Sequence, residues 1–256
     1  METSQPPIAD SPWFWLYLFA MCALAGGLVM AMNRFNRIRS IDTDNLVTEV
    51  EPAVVTAHLQ AAVEKKGLFY PPDPASYTFS TIGGNIENSG GMRAVKYGVT
   101  RDYVRGLEVV LPTGEVVNTG SACAKDVVGY DLTTLFVGSE GTLGVFAEII
   151  LKLIPLPAHR KAMMAVFESL EKASEAVAAI IANRIVPATL EFLDNFTIRA
   201  VEDFSKAGLP VDAAAMLLVE LDGHKVQVEE DAARVEALCQ SMGATSIRVA
   251  RDAAER

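Results

Sequence analysis

Glycines, hydroxyls and amides gather in one stretch of this chain in a pattern that could cradle a polar cofactor. Thr81-Ile82-Gly83-Gly84-Asn85, Asn88-Ser89-Gly90-Gly91 and Tyr97-Gly98 place five glycines and four Ser, Thr or Asn side chains within eighteen residues. Without a Cβ, glycine lets a backbone N–H come close to a phosphate or a flat ring, and the neighbouring hydroxyls and amides add orienting hydrogen bonds. The plainer reading is a set of turns, and two Gly-Gly pairs this close together argue against it. A second element, Gly138-Ser139-Glu140-Gly141-Thr142-Leu143-Gly144, stands directly before a β-rich run. It lacks both the Gly-Lys-Ser/Thr of a P-loop and the strand-to-helix setting of a dinucleotide fingerprint, so by itself it names no ligand. Pro71-Pro72-Asp73-Pro74 makes a stiff entrance to the first loop.

Other reactive residue types are sparse. His58, His159 and His224 show no metal-ligand spacing and read as structural or solvated residues. Glu171 with Glu175, and Glu229 with Glu230, fall on polar helix faces. Cys22, Cys123 and Cys239 are odd in number and far apart, which gives neither a disulfide framework nor a zinc site and suggests a reducing compartment. No catalytic residue and no metal ligand can be named from these residues.

The elements that must position the loops follow from periodicity. Leu46 to Val50 reads as a strand and Pro52 to Lys66 as a helix ended by Gly67, followed by a stretch from Leu68 to about Tyr103 without helical period. Long irregular segments inside a domain are usually functional. Leu107 to Leu111 and Glu115 to Asn118 form a hairpin around Pro112-Thr113-Gly114, Leu132 to Phe136 is a short helix, and Val145 to Ile154 is a strand stopped by Pro155 and Pro157. Beyond Pro157 strands and helices alternate: Ala162 to Phe167, Ser169 to Arg184, Thr189 to Leu193, Asn195 to Lys206, Met216 to Leu221, Lys225 to Met242 and Ser246 to Val249. That order predicts an α+β layer of ferredoxin-like kind, with a boundary near residue 158.

Composition sets the outer limits. Twenty-two Lys plus Arg against 32 Asp plus Glu give a net charge of −10, and 50% of the 256 residues are hydrophobic. The chain can therefore bury a core, and with no unopposed basic stripe it excludes nucleic acid as a partner. The amino end is different. Trp13 to Met32 is 20 nearly all apolar residues, long enough for a helix to cross a bilayer, with Trp13, Phe14, Trp15 and Tyr17 suited to its interface. Arg34, Arg37 and Arg39 follow it, so the positive-inside bias predicts a membrane-associated chain whose body faces the cytoplasm. The alternatives are a helix buried in the fold and a cytoplasmic protein. A cleaved signal peptide is disfavoured, because no basic residue precedes the apolar run.

FYPPDPASYTFSTIGGNIENSGG from Phe69 to Gly91, KYGVTRDYVRGLEVVLPTGEVV from Lys96 to Val117 and GYDLTTLFVGSEGTLGV from Gly129 to Val145 together resemble one family. It is the FAD-linked oxidases of the vanillyl-alcohol oxidase and p-cresol methylhydroxylase type, in the branch of the D-lactate dehydrogenases and the related glycolate oxidase subunit. The resemblance runs from about Leu28 to the carboxyl end.

It implies an α+β fold with the larger half of a p-cresol-methylhydroxylase-type FAD-binding domain at 40–157. A ferredoxin-like capping domain would follow at 158–256, and residues 1–39 would carry the apolar helix. It implies FAD as cofactor, with Pro72, Ser80, Thr81, Gly83, Gly84, Asn88, Gly91, Tyr97 and Gly98 lining the isoalloxazine and ribityl region. Glu140, Gly141, Gly144 and Val145 would close the other side. The family's Gly-rich pyrophosphate loop has no counterpart here, Gly26 and Gly27 of the apolar segment standing in its place, and its His-rich motif lies beyond Arg256. The chain therefore reads as truncated at both ends. The expected activity is oxidation of a small 2-hydroxyacid to the 2-oxoacid by hydride transfer to flavin, with electrons passed to an acceptor that the sequence does not identify. The alternative is an inactive remnant, or an accessory or split subunit completed by partner subunits of a multi-subunit oxidase.

Overall fold

A computed structural model describes residues 30–88 and 90–250. Each of its two halves is built on one antiparallel sheet. In the first half, β1 (Ile38–Asp42), β2 (Val47–Val50), β4 (Val104–Val110), β5 (Val116–Gly120) and β6 (Val145–Lys152) form a five-stranded sheet in the order β1-β2-β6-β4-β5. Residues at alternate positions, among them Leu107, Val109, Ile149 and Leu151, point to one face and are buried there. They pack under α1 (Thr56–Glu64), whose Leu59 and Val63 lie one turn apart and are fully covered. A small ribbon of β3 (Leu68–Phe69) and β7 (Ile154–Pro155) closes the end of this core. The short helix expected before β6 forms as α4 (Leu132–Phe136), capped by Asp131, which accepts from Thr134 N.

The second half holds β8 (His159–Phe167), α5 (Leu170–Ala182), β9 (Thr189–Asp194), α6 (Asn195–Ser205), β10 (Ala215–Gly223), α7 (Lys225–Ser241) and β11 (Ala244–Val249). Its four strands run β11-β8-β10-β9, all antiparallel, which is the ferredoxin-like order with one added helix, α6. Ser169 and Asp194 accept hydrogen bonds from Lys172 N and Thr197 N, capping α5 and α6. The sheet face bearing Met163, Ala165, Phe167, Leu217 and Val219 is buried under α5 and α7. On the opposite face, Val166 and Met216 pack under Ile198 of α6. The rest of that face, at the Arg160 and Asp222 end, turns toward the first half.

The first sheet also takes in β1, which begins at Ile38. Two expectations change. The helix anticipated from Pro52 begins only at Thr56, because Pro52 and Val54 accept hydrogen bonds from Gly83 N and Ile82 N. The stretch anticipated as irregular contains α2 (Ile82–Asn88), α3 (Ala94–Tyr97) and a 3₁₀ turn (Thr100–Tyr103). Two adjacent glycines disfavour a helix, but Ile82 and Ile86, one turn apart, are both buried in the core and hold α2 in place. The apolar run Trp13 to Met32 lies outside the described residues except for Met30 to Met32, which are not helical. Among the described residues no helix is long and apolar enough to cross a membrane.

Candidate functional site

The first glycine segment is an exposed corner where α2 meets the chain from Pro52 to Val54. Thr81 Oγ1 accepts the Gly84 N–H at 3.3 Å, and Ser80 Oγ lies 3.1 Å from Thr56 Oγ1, which also accepts from Asn85 Nδ2 at 2.7 Å. A side chain on Gly83 would place its Cβ 2.7 Å from Pro52 Cβ, and one on Gly91 would lie 2.5 Å from the carbonyl oxygen of Asp73. These two glycines serve close approach of chain to chain. Pro72 is buried behind them, its carbonyl accepting from Gln60 Nε2 at 3.0 Å. Gly84 and Gly90, by contrast, would bring a Cβ only into ordinary contact, 3.5 Å from Thr81 Oγ1 and 3.9 Å from Val99 Cγ1.

The second segment docks on α2. Glu87 reaches across to accept the Glu140 N–H and lies 3.5 Å from Ser139 Oγ, while Gly138 N donates to the Ile86 carbonyl at 3.1 Å. Burial of the Glu87 carboxyl outweighs these bonds and raises its pKa above the ordinary carboxylate range. Glu140 and Gly141 both have left-handed backbone, with φ of 51° and 73°, and nothing lies within 4 Å of where a Cβ on Gly141 would sit. Gly144 is again a packing glycine, with Val109 Cγ1 2.5 Å from where its Cβ would sit, and Val145 starts β6 opposite Val110. The fold thus joins the two glycine segments, bordering a recess of about 380 Å³ lined in part by Asn85, Glu87, Gly90, Arg101 and Gly138. Asn88 ends α2.

Tyr97 and Gly98 sit apart from that junction. Gly98, at φ 77°, leaves room for the Asp102 carboxylate, which accepts Val99 N at 2.8 Å. Tyr97 Oη donates to Asp222 of the second half at 2.8 Å, beside Lys96 Nζ at 2.5 Å from the same carboxylate. The Asp222 side chain is only 1% exposed. Burial, then the bond to Asp222, raises the Tyr97 pKa well above the usual phenol range. Next to this pair the Phe69 ring lies between the guanidinium groups of Arg93 and Arg160, at 5.2 and 5.0 Å.

Between the halves opens a larger cavity of about 580 Å³. Asp73, Met92 and Arg93 form one wall, and the open sheet face with Met164, Leu218, Glu220 and Glu191 forms the other. Arg93 is 3.4 Å from Asp73. Apart from Asp73, in the Pro71 to Pro74 turn, none of these residues stood out by motif. A signal did exist in Leu218-Val219-Glu220-Leu221-Asp222, where carboxylates at alternate positions of an otherwise apolar strand mark one face as outside the core. The histidines stay away from the cavity: His159 pairs with Glu229 at 3.2 Å on the surface, and His58 and His224 are exposed. Among the described residues no group of side chains could hold a metal ion.

The site suits a flavin in chemical character. The hydroxyls of Ser80 and Thr81 supply polar groups at the corner, and Phe79, Met92, Val99 and Leu143, all substantially exposed, offer apolar surface nearby in sequence to the loops.

Comparison with known proteins agrees with this chemistry. Residues 17–120 match the family model described as FAD binding domain, and residues 156–256 match FAD linked oxidases, C-terminal domain. The chain is 54% identical over 231 residues to the glycolate oxidase subunit GlcD of Bacillus subtilis, covering 90% of this chain and 49% of that one. It is 39% identical over 216 residues to a D-lactate dehydrogenase of Anaerostipes hadrus, covering 82% of this chain and 45% of that one. A solved alkyldihydroxyacetonephosphate synthase shares the fold with a TM-score of 0.75 at 21% identity, over 87% of this chain and 46% of that one. The chain spans about half the length of the curated relatives it matches. The chain thus carries, in order, the FAD binding domain and the C-terminal domain of FAD linked oxidases, with the two glycine segments brought together.

Proposed function

We propose that this chain is the flavin-binding and substrate-capping part of an FAD-dependent oxidoreductase acting on a small 2-hydroxyacid of the glycolate or D-lactate type. One observation carries the proposal: the cavity between the halves is walled on one side by the Pro72 to Arg93 region of the FAD binding domain and on the other by the C-terminal domain's sheet. Bound FAD supplies the acceptor for a hydride leaving C2 of the hydroxyacid. Gly141 leaves open space where a side chain would stand, and the hydroxyls of Ser80 and Thr81 stand at the corner beside Gly84. Gly83, Gly91 and Gly144 shape that corner by letting backbone segments touch, and Glu87 fixes the Glu140 loop against α2. Arg93 places a cation in the cavity wall where a substrate carboxylate can approach, and Met92, Met164 and Leu218 keep water out.

Absorbance between 350 and 500 nm tests the proposal, after incubation of the purified chain with excess FAD and gel filtration. Retained flavin bands that bleach on adding glycolate or D-lactate support it, and a colourless protein removes it. Glu140→Lys, which puts a cation at the left-handed corner of the second loop, is expected to abolish flavin retention.

Two further parts of the reading are separable. The boundary near residue 158 accords with the C-terminal domain match beginning at residue 156, and partner subunits accord with the relative's description as a subunit of glycolate oxidase; co-purification with a neighbouring gene product that restores turnover tests the latter. Attachment to a membrane through Trp13 to Met32 rests on apolar length alone. The FAD binding domain match begins at residue 17, inside that run. Release of the whole protein by carbonate extraction would end the membrane reading.

A further inference from the structure

Among the described residues lining the inter-half cavity, Glu220 is the one whose buried side-chain oxygen has no partner: its Oε1 is shielded from solvent and accepts no hydrogen bond. A shielded carboxylate oxygen left without a donor is costly and calls for a ligand or function. Glu220 as a whole is only partly buried and borders the cavity, so rotation of its carboxylate can turn that oxygen to a ligand. Glu220 pairs with Ala162 on β8 and with Thr189 on β9, and Ala250 lies beyond Ala162, its N–H donating to the Ala162 carbonyl at 2.9 Å. The carboxylate therefore stands in a row of small side chains, Ala250, Ala162 and Thr189, that all border the cavity. One row along, Arg248, Met164, Leu218 and Glu191 are larger, and Arg248 brings a cation to the same wall. The row is a trough with an acceptor in its floor.

We infer that Glu220 is a specificity-determining residue that accepts a hydrogen bond from the hydroxyl group of the bound hydroxyacid and turns away a second carboxylate. This rests on the 2-hydroxyacid reading above. A monocarboxylate can lay its hydroxyl in the trough and its carboxylate toward the Arg93 wall. A dicarboxylic hydroxyacid that fills the trough with its second carboxylate meets a like charge in a shielded place, which discriminates by repulsion as well as by attraction.

The test uses the full chain loaded with FAD and measures dissociation constants by calorimetry and by perturbation of the flavin spectrum, for glycolate, D-lactate and D-2-hydroxyglutarate. Glu220→Ala is expected to weaken glycolate and D-lactate binding by roughly tenfold or more, the size of a lost charge-assisted hydrogen bond. Glu220→Gln keeps the shape and removes the charge, so it is expected to lose less affinity for the monocarboxylates and to gain affinity for D-2-hydroxyglutarate. Unchanged ratios among the three acids in both variants overturn the inference. So does a loss of FAD retention in Glu220→Gln, which would assign the acceptor to the flavin instead. A wild-type holoprotein that binds none of the acids overturns the 2-hydroxyacid reading itself, and is thereby distinguishable from a wild type that binds them with Glu220 playing no part.

Discussion

In the flavin half, a Cβ on Gly91 would meet the Asp73 backbone at 2.5 Å and one on Gly144 would meet Val109 at 2.5 Å, whereas in the capping half one on Gly243 meets only the end of Lys172, at 3.1 Å. The two halves are held by different means. The capping half is a regular layer whose helices and strands follow apolar periodicity, and its core is a continuous set of Met, Ala, Phe, Leu and Val side chains between sheet and helices. The flavin half has a core as well, but its loops hold their shape through backbone segments in direct contact, which only glycine allows. A layer of the first kind tolerates surface change and fails when a large side chain is removed. Loops of the second kind fail when a methyl group is added. That asymmetry suits the proposed division of labour, in which the first half would hold the cofactor against its loops and the second would close over it and line the substrate cavity.

The comparison can be broken in order of effect. Phe167→Ala, in the centre of the capping core and fully buried, is expected to cost about 3–5 kcal/mol, measured by denaturant unfolding. A loss below about 1 kcal/mol would show that the capping layer is not held by its core. Gly91→Ala is expected to cost about 1–3 kcal/mol through overpacking and to abolish flavin retention, while Gly243→Ala, strained only by its φ of 89°, is expected to cost about 1 kcal/mol and leave flavin binding intact. Equal effects of the two on flavin would erase the distinction.

Asp222→Asn probes the seam between the halves. The Tyr97 phenol is held above its ordinary range by burial first and then by the hydrogen bond to, and the charge of, Asp222. Its folded-state value therefore lies above the unfolded one. The stability it contributes is intact below about pH 10 and is lost as the pH rises through the folded value. Removing the Asp222 charge is expected to let Tyr97 ionise at lower pH, followed as tyrosinate absorbance, and to separate the thermal unfolding of the two halves into two transitions. An unmoved titration would cut Asp222 out of the seam. The smallest effect belongs to Glu229→Gln. The ion pairs that Glu229 makes with Lys161 at 2.5 Å and His159 at 3.2 Å lie at the surface, where solvent screens them. The melting temperature is expected not to change measurably, and a clear drop would reveal a coupling of β8 and α7 that the burial pattern does not predict.

Much of the capping half was legible because one period governs each element. Leu170, Ala173, Val177, Ile180 and Ile181 at helical spacing announce α5, and Ala173 and Ile180 are fully buried there. The hairpin of β4 and β5 was legible from Pro112-Thr113-Gly114. β1 was not, because Ile38 and Ile41 break strict alternation where the strand carries a bulge opposite β2. Nor was α2, because its two glycines have poor helix propensity and only the buried Ile82 and Ile86 stabilise it. At the site, the glycine segments were visible as segments, while Glu220, Asp222 and Arg93 carried no motif.

The sequence by itself determined the α+β class, the order of elements after Pro157 and the FAD-linked oxidase motifs, since these depend on local period and turn chemistry. Tertiary structure alone decided which glycines pack and which stay open, because that depends on whether another backbone arrives at the same point. It also decided that Lys96 and Tyr97 meet Asp222, 126 and 125 residues away, and that Glu220 faces the cavity with small neighbours. Both follow from strand register, and a shift of one residue would turn those carboxylates to the opposite face.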